Sequence, residues 1–277
     1  MAGGKRPATK RQPNRRSEKR LAFEGTAAEK QPWLIPLWWV TAVIGLFMLP
    51  VAGVLTETFF GAFKRATVEH AFWATDEFWF FALGVVLWVL AFFGSIWATG
   101  EPRLLRVYVF GHELTHAVWV WMMGGEVRSF EVSRNGGSII TNKQNVLIAL
   151  SPYFYPIYSL AILLAYGVAS FFYDVAGIKE TFILMTPLQW MFLGLGITWA
   201  FHMSFTIWMI PKGQSDLTAH GTFFSLVFIY LMNVALMSLF LICAAPEVTW
   251  AGFGRELYLN AEEFAGWIYA LGQRWIS

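Results

Sequence analysis

Long apolar runs separated by short polar segments dominate the chain. A membrane-spanning helix needs about 20 mostly apolar residues, and six stretches of the chain meet that requirement. They are predicted at about residues 33–55, 77–99, 104–123, 145–172, 181–210 and 217–245. The pattern therefore predicts an all-α polytopic membrane protein with about six transmembrane helices.

Polar and helix-breaking residues interrupt this pattern. Residues 56–76 contain Lys64, Arg65 and Glu69, and they are predicted to form a polar loop. Pro152 and Pro156 fall inside the fourth stretch. Because proline removes a helical hydrogen bond and crowds the preceding turn, we expect a kink or a break there.

Residues 126–142 follow a different pattern. Two short β-prone arms lie on either side of Asn135-Gly136-Gly137, which predicts a β-hairpin. Beside a membrane, such a hairpin is tolerated only where protein or a water-filled cavity covers its backbone. We therefore expect a small membrane-associated hairpin next to the third helix.

The C-terminal segment, residues 246–277, mixes aromatic and charged positions. Trp250, Phe264 and Trp267 alternate with glutamates and arginines. This pattern predicts an amphipathic helix at the membrane interface, and a solvated tail is the alternative.

Composition agrees with a bilayer environment. The chain has 277 residues, of which 57% are hydrophobic and 14% are charged, against about 25% charged in typical soluble domains. A water-soluble enzyme of this size needs more charge to cover its surface. The single cysteine, Cys243, excludes an internal disulfide.

Charge is concentrated at the N-terminus. Residues 1–31 hold nine Lys or Arg and three Glu, a net charge of +6. We interpret this segment as a disordered basic cytoplasmic tail that contacts anionic lipid, rather than a nucleic-acid-binding arm. Six spans then place both termini in the cytoplasm.

The third stretch contains the motif that carries chemistry. His112-Glu113-Leu114-Thr115-His116 is an H-E-x-x-H sequence on a predicted helix, so both imidazoles face the same side and can reach one metal ion. Glu113 is placed to take a proton from water at the metal. Ionisable residues within a membrane helix cost about 2.5–3.5 kcal/mol each, so three of them within five residues indicate function.

A catalytic zinc ion needs a third protein ligand, and the sequence leaves three candidates. Asp216 begins the sixth stretch, where an N-cap is its structural alternative. His220 follows Asp216 by four residues, and His202 lies within the fifth stretch. Residue types alone do not decide among them.

These motifs resemble the site-2 protease family of intramembrane zinc metalloproteases. The resemblance covers roughly residues 104–235 and rests on Gly111–Ala117, the following Gly124-Gly125, the hairpin, and Asp216 at a later span. It implies Zn²⁺ bound by His112, His116 and Asp216, with Glu113 as the catalytic base. Residues 149–156 resemble poorly characterised bacterial branches of the family, which implies the bacterial inner membrane.

The chain departs from the family pattern at two points. No Asn-Pro pair precedes Asp216. The residue directly after Asp216 is Leu217 rather than a glycine, and Gly221 comes five residues later. In the family, an asparagine is thought to steady the oxyanion, and it has no direct counterpart in this chain. Gln214, Asn142 and Asn145 are the candidates for that role.

The hydropathy pattern, the charge distribution and the resemblance together divide the chain into four parts. They are the basic tail 1–31, two N-terminal transmembrane helices in 32–103, a metalloprotease-like core in 104–245 and the amphipathic tail 246–277. The implied substrate is a membrane-spanning or membrane-proximal polypeptide. We expect the hairpin to clamp it by strand addition, and an ordinary connecting hairpin is the alternative. A non-catalytic membrane scaffold of the same fold and a metal transporter are the other functional hypotheses.

Overall fold

The structure, a computed structural model, describes residues 37–68, 71–133, 136–179, 183–245 and 247–276. The basic tail 1–31 lies outside these residues. Within them the chain is mostly helical. The helices are α1 (Leu37–Val68), α2 (Asp76–Thr99), α3 (Leu105–Met122), α4 (Val146–Leu150), α5 (Ile157–Phe172), α6 (Pro187–Met209), α7 (Ser215–Ala219), α8 (Thr222–Ala244) and α9 (Trp250–Ile276). Single 3-10 turns occupy Phe72–Ala74, Ser151–Tyr153 and Ile210–Lys212.

Four of the described helices, α1, α2, α6 and α8, are long and apolar enough to cross a membrane. A fifth candidate span is the pair formed by Val146–Tyr153 and α5, which are bent by 84°. Large apolar side chains such as Phe47, Leu90 and Trp97 point outward and are exposed, as expected of surfaces that face lipid. The structure thus confirms a mostly helical chain with four helices, or five if the bent pair is one span, that are candidates to cross a membrane.

The count of about six spans stays a prediction. Helix α3 is not among the helices that are apolar enough to cross a membrane. It has 18 residues and carries Arg106 together with the two histidines and the glutamate of the motif.

The prediction of a polar loop at residues 56–76 is wrong over most of its length. Helix α1 continues to Val68, because this part of the helix also has an apolar face. Ala62 and Ala66 on that face are fully buried in a cluster with Val248 and Phe253. Lys64 and Arg65, two of the charged residues that suggested a loop, are exposed on the helix surface, and Glu69 lies outside the described residues.

The predicted break in the fourth stretch is confirmed at Pro152 and Pro156, which lie between α4 and α5. The sixth stretch is also divided, with Gly221 at a positive φ of 86° between α7 and α8.

The predicted hairpin is present. Strands β1 (Val127–Ser133) and β2 (Gly136–Thr141) pair antiparallel with Ser133 opposite Gly136 and a bulge near Val127. Asn135 of the predicted turn lies outside the described residues. An edge-on contact between the rings of Phe110 and Phe130, at 5.7 Å, holds the hairpin to α3.

Close packing of α2 against α6 builds the side of the bundle next to α3. A Cβ atom at Gly84 would lie 2.2 Å from the Leu193 carbonyl oxygen, and one at Gly196 would lie 2.1 Å from that of Phe81. The two backbones can touch only because both positions lack a side chain. Mostly aromatic residues of α2, α3 and α6 form a buried cluster that comprises Trp88, Phe92, Tyr108, Val109, Ala200, Phe201 and Phe205.

The C-terminal segment forms α9, and its first half packs on α1. Arg65 and Glu256 form an ion pair, and the Asn260 side chain donates a hydrogen bond to the Thr58 hydroxyl at 2.9 Å. Its second half exposes Trp267, Tyr269 and Trp275. The segment is helical as predicted, and its location at the membrane interface stays a prediction.

We expect Gly84→Ala to destabilise the protein by about 1–3 kcal/mol, because the added methyl meets backbone that cannot move aside. Gly94→Ala on the same helix is the matched control, since a Cβ there meets nothing within 4 Å. Thermal unfolding in detergent measures both variants. Equal melting temperatures would contradict the close contact between α2 and α6.

Candidate metal centre

Helix α3 presents the two histidines of the motif toward the interior of the bundle. His112 and His116 are one turn apart, and their ring centroids are 4.9 Å from each other. The residues around them, Gly111, Glu113 and Thr115, are buried. A regular helix therefore suffices to bring both imidazoles to one place, as the spacing of the motif predicts.

Asp216, on the short helix α7, lies next to the two histidines. Its carboxylate Oδ2 lies 3.3 Å from His112 Nε2 and 3.6 Å from His116 Nε2. The potential ligand atoms of the three residues all lie within 4.8 Å of one another, so the group could hold a metal ion. The alternative of an N-cap for Asp216 is wrong, because Gln214 occupies the N-cap of α7.

Short helix α7 is fixed by the residue that follows the aspartate. Leu217 is buried in a cluster with Leu150, Tyr153 and Ile229. The Ser225 hydroxyl of α8 donates a hydrogen bond to the Leu217 carbonyl at 3.0 Å. A five-residue helix has little stability of its own, so these contacts set the position of the carboxylate.

Hydrogen bonds orient both imidazole rings. His116 Nδ1 donates to the Ile148 carbonyl at 2.7 Å, and Nε2 of the same ring faces Asp216 Oδ2 at 3.6 Å. His112 Nδ1 lies 3.4 Å from the Tyr108 hydroxyl. Metal-binding histidines in proteins typically have such partners on the second nitrogen.

The donor set fits a catalytic metal. Two imidazole nitrogens and one carboxylate oxygen are the ligands of many catalytic zinc sites, where a fourth position stays open. The same set also suits ferrous iron, so the residues present do not identify the metal.

Asp216 has the charge state that metal binding requires. Burial raises the pKa of its carboxyl, but hydrogen bonds with His112 and His116 outweigh burial and hold the pKa well below its ordinary value. The side chain is therefore an ionised carboxylate at neutral pH. It is 24% exposed, whereas each histidine side chain is 10% exposed, so the centre is most accessible on the side of α7.

Glu113 lies beneath the hairpin. It is 7% exposed and near enough to His116 and Asp216 to interact with their charges. A Cβ atom at Gly137 of β2 would lie 2.3 Å from Glu113 Cγ and 2.5 Å from Oε1. Only glycine at position 137 allows the strand to approach the carboxylate this closely.

The other predicted histidines lie outside the group. His202 and His220 do not join the three ligands among the described residues. His202 is buried beside the Tyr153 carbonyl, and its Nε2 has no hydrogen-bond partner in the described part of the chain. His220 is the C-cap residue of α7.

The three candidates for the oxyanion-stabilising role form hydrogen bonds with nearby backbone groups. Asn145 caps α4 by accepting from the Ile148 amide at 2.8 Å, and Asn142 accepts from the Glu126 amide at 2.7 Å. Gln214 donates to the Met209 carbonyl at 3.4 Å. An oxyanion role for any of them stays a prediction.

Sequence reasoning missed two tyrosines at the centre. Tyr108 precedes His112 by four residues and therefore shares its helix face, a signal that could have identified it. Tyr153 donates from its hydroxyl to Asp216 Oδ2 at 3.3 Å. No spacing in the sequence connects Tyr153 with Asp216, because the two are 63 positions apart.

We expect the protein purified in detergent to contain about one metal ion per chain and Asp216→Ala to lose it, because two imidazoles alone hold a divalent cation weakly. His202→Ala and His220→Ala serve as controls and should keep the metal. Elemental analysis that resolves zinc from iron measures all four proteins. Metal retained in folded Asp216→Ala but lost in either control would contradict this assignment of the third ligand.

Comparisons of the chain with protein-family models, with curated proteins and with solved structures gave no match.

Proposed function

We propose that the protein is a zinc-dependent intramembrane endopeptidase, which hydrolyses peptide bonds of membrane-spanning or membrane-proximal polypeptides. The observation that carries the proposal is the convergence of His112, His116 and Asp216, with Glu113 beside them. These groups lie in a chain whose long helices are apolar enough to cross a membrane. Their burial among such helices has a cost that a functional role explains.

The residues divide the chemistry among themselves. His112, His116 and Asp216 would hold the metal, which when bound lowers the pKa of water and polarises a carbonyl group. Glu113 takes the proton from the attacking water and returns it to the nitrogen of the leaving amine. The peptide C–N bond breaks, the OH of the water joins the carbonyl carbon to form the new carboxyl group, and the remaining proton goes to the nitrogen of the new amine.

The hairpin is the proposed contact with substrate. A peptide bond within a helix is shielded by the turns around it, so a substrate helix must unwind before cleavage. The unwound segment then needs backbone hydrogen-bond partners, which an exposed strand edge supplies. Strand β2 runs past Glu113 at Gly137, so a strand added there would lie next to the proposed base.

We expect Glu113→Gln to lower cleavage about 10²–10⁴-fold, because the amide cannot take a proton from water. The metal should remain bound, since Glu113 is not among the three ligands. A single-pass transmembrane helix with a fluorescent reporter, reconstituted with the protein in lipid vesicles, provides the assay. Glu262→Gln, an exposed position on α9, is the control and should retain activity.

The same pair of variants separates the enzyme from a non-catalytic scaffold. In a scaffold, the wild-type protein and Glu113→Gln would bind metal and the transmembrane helix equally well, and neither would cut the helix. That result would contradict the proposal.

We expect Gly137→Ala to reduce cleavage at least about 10-fold with the metal content unchanged, because the new methyl displaces Glu113 or the strand above it. Ser138→Ala, which shortens an exposed side chain on the next residue, should have little effect. Cleavage rates in vesicles and elemental analysis measure both variants. Equal rates for the two would show that the approach of β2 to Glu113 has no part in catalysis.

A further inference from the structure

The segment that leads into α5 forms hydrogen bonds with two of the three proposed ligands, His116 and Asp216. It runs from Asn145, which caps α4, through the 3-10 turn at Ser151–Tyr153 to the bend before α5. We call residues 145–156 the broken segment. Its contacts with His116 and Asp216 come from two different points along it.

The first contact depends on Pro152. In a continuous helix the Ile148 carbonyl would accept a hydrogen bond from the backbone N–H of residue 152. Proline has no N–H, so that carbonyl is free, and it accepts from His116 Nδ1 at 2.7 Å. The Ser151 hydroxyl donates to the same oxygen at 3.0 Å. The break in the helix thus supplies the acceptor that orients one histidine.

The second contact is the Tyr153 hydroxyl, which donates to Asp216 Oδ2 at 3.3 Å. This is the same carboxylate oxygen that faces both His112 and His116. The tyrosine ring also packs edge-on against the ring of His112, with centroids 5.3 Å apart. Tyr153 is fully buried, so its hydroxyl has little freedom to turn elsewhere.

Helix α8 fixes the backbone of Tyr153. The Asn233 side-chain amide donates to the Tyr153 carbonyl at 3.1 Å and to the Ile229 carbonyl at 2.9 Å. A polar side chain in the middle of an apolar span is expensive unless it is satisfied. Here it ties the turn that carries Tyr153 to one of the long helices.

From these contacts we propose that the broken segment positions the ligands of the metal centre, with Tyr153 as the positioning residue for Asp216 and Asn233 acting through Tyr153. This inference rests on the metal centre of the proposed function. Asp216 needs such support more than the histidines do. It lies on a helix of five residues, whereas His112 and His116 lie on a helix of 18 residues.

The test compares Tyr153→Phe with Tyr155→Phe in the full chain purified in detergent. Tyr153→Phe removes only the hydroxyl that reaches Asp216. Tyr155 is two residues further along the broken segment, and its ring packs on Trp119 at 5.8 Å rather than on a ligand. Zinc affinity, measured by competition with a chelator, should fall about 10–100-fold in Tyr153→Phe, the range typical for loss of a partner of a ligand. It should be unchanged in Tyr155→Phe.

A spectroscopic readout separates positioning from general loss of structure. With Co²⁺ bound in place of zinc, visible absorption reports the geometry of the ligands. The spectrum should change in Tyr153→Phe and match wild type in Tyr155→Phe. Unchanged zinc affinity and an unchanged cobalt spectrum in Tyr153→Phe would overturn the inference while leaving the metal centre intact.

Asn233→Leu provides an independent variant of similar size. It should weaken zinc binding in the same direction as Tyr153→Phe, and the double variant should bind zinc no more weakly than Tyr153→Phe alone, because both act along one route. Additive losses, or wild-type affinity in a folded Asn233→Leu protein, would contradict the role of Asn233. A wild-type protein that binds neither zinc nor cobalt would overturn the metal centre and this inference together.

Discussion

Lipid offers no hydrogen bonds, so a charged centre among apolar helices must obtain every partner from the protein itself. In this chain that constraint acts on three side chains, His112, His116 and Asp216. Each has a polar neighbour that directs it toward the other two: the Tyr108 hydroxyl for the first, the Ile148 carbonyl for the second and the Tyr153 hydroxyl for the third. The arrangement of α3, the broken segment and α7 follows from the need to bring these partners together.

The rest of the bundle supports this arrangement in ways that involve little polarity. Glycines at positions 84 and 196 let α2 and α6 touch through their backbones, and the mostly aromatic cluster of these helices includes Tyr108 of α3. The ring of Tyr108 stacks on that of Phe205 with centroids 4.8 Å apart. The helix that carries the motif is therefore held by apolar packing on one side, which leaves its polar face to the metal centre.

Glu113 connects the centre to the hairpin. Its carboxylate is buried on the face of α3 that the hairpin covers, and the absence of a side chain at Gly137 lets the strand pass directly over it. Glu113 is therefore shielded from bulk water and adjacent to a strand of the hairpin, an arrangement that suits the base of the proposed endopeptidase.

The sequence by itself determined the features that depend on local spacing. Runs of apolar residues fixed the long helices, the pair of prolines fixed the break near residue 152, and the four-residue interval fixed the shared face of His112 and His116. It misjudged residues 56–68, because the exposed charges of Lys64 and Arg65 stand in the sequence between Ala62 and Ala66, the buried residues that pack on α9.

Only the tertiary structure decided which distant residue meets the two histidines. Asp216, His202 and His220 are equally plausible ligands by residue type, and the choice depends on how α6, α7 and α8 pack. The contacts of Tyr153 with Asp216 and of Gly137 with Glu113 were likewise beyond the sequence, because each joins elements whose separation along the chain says nothing about their distance in space.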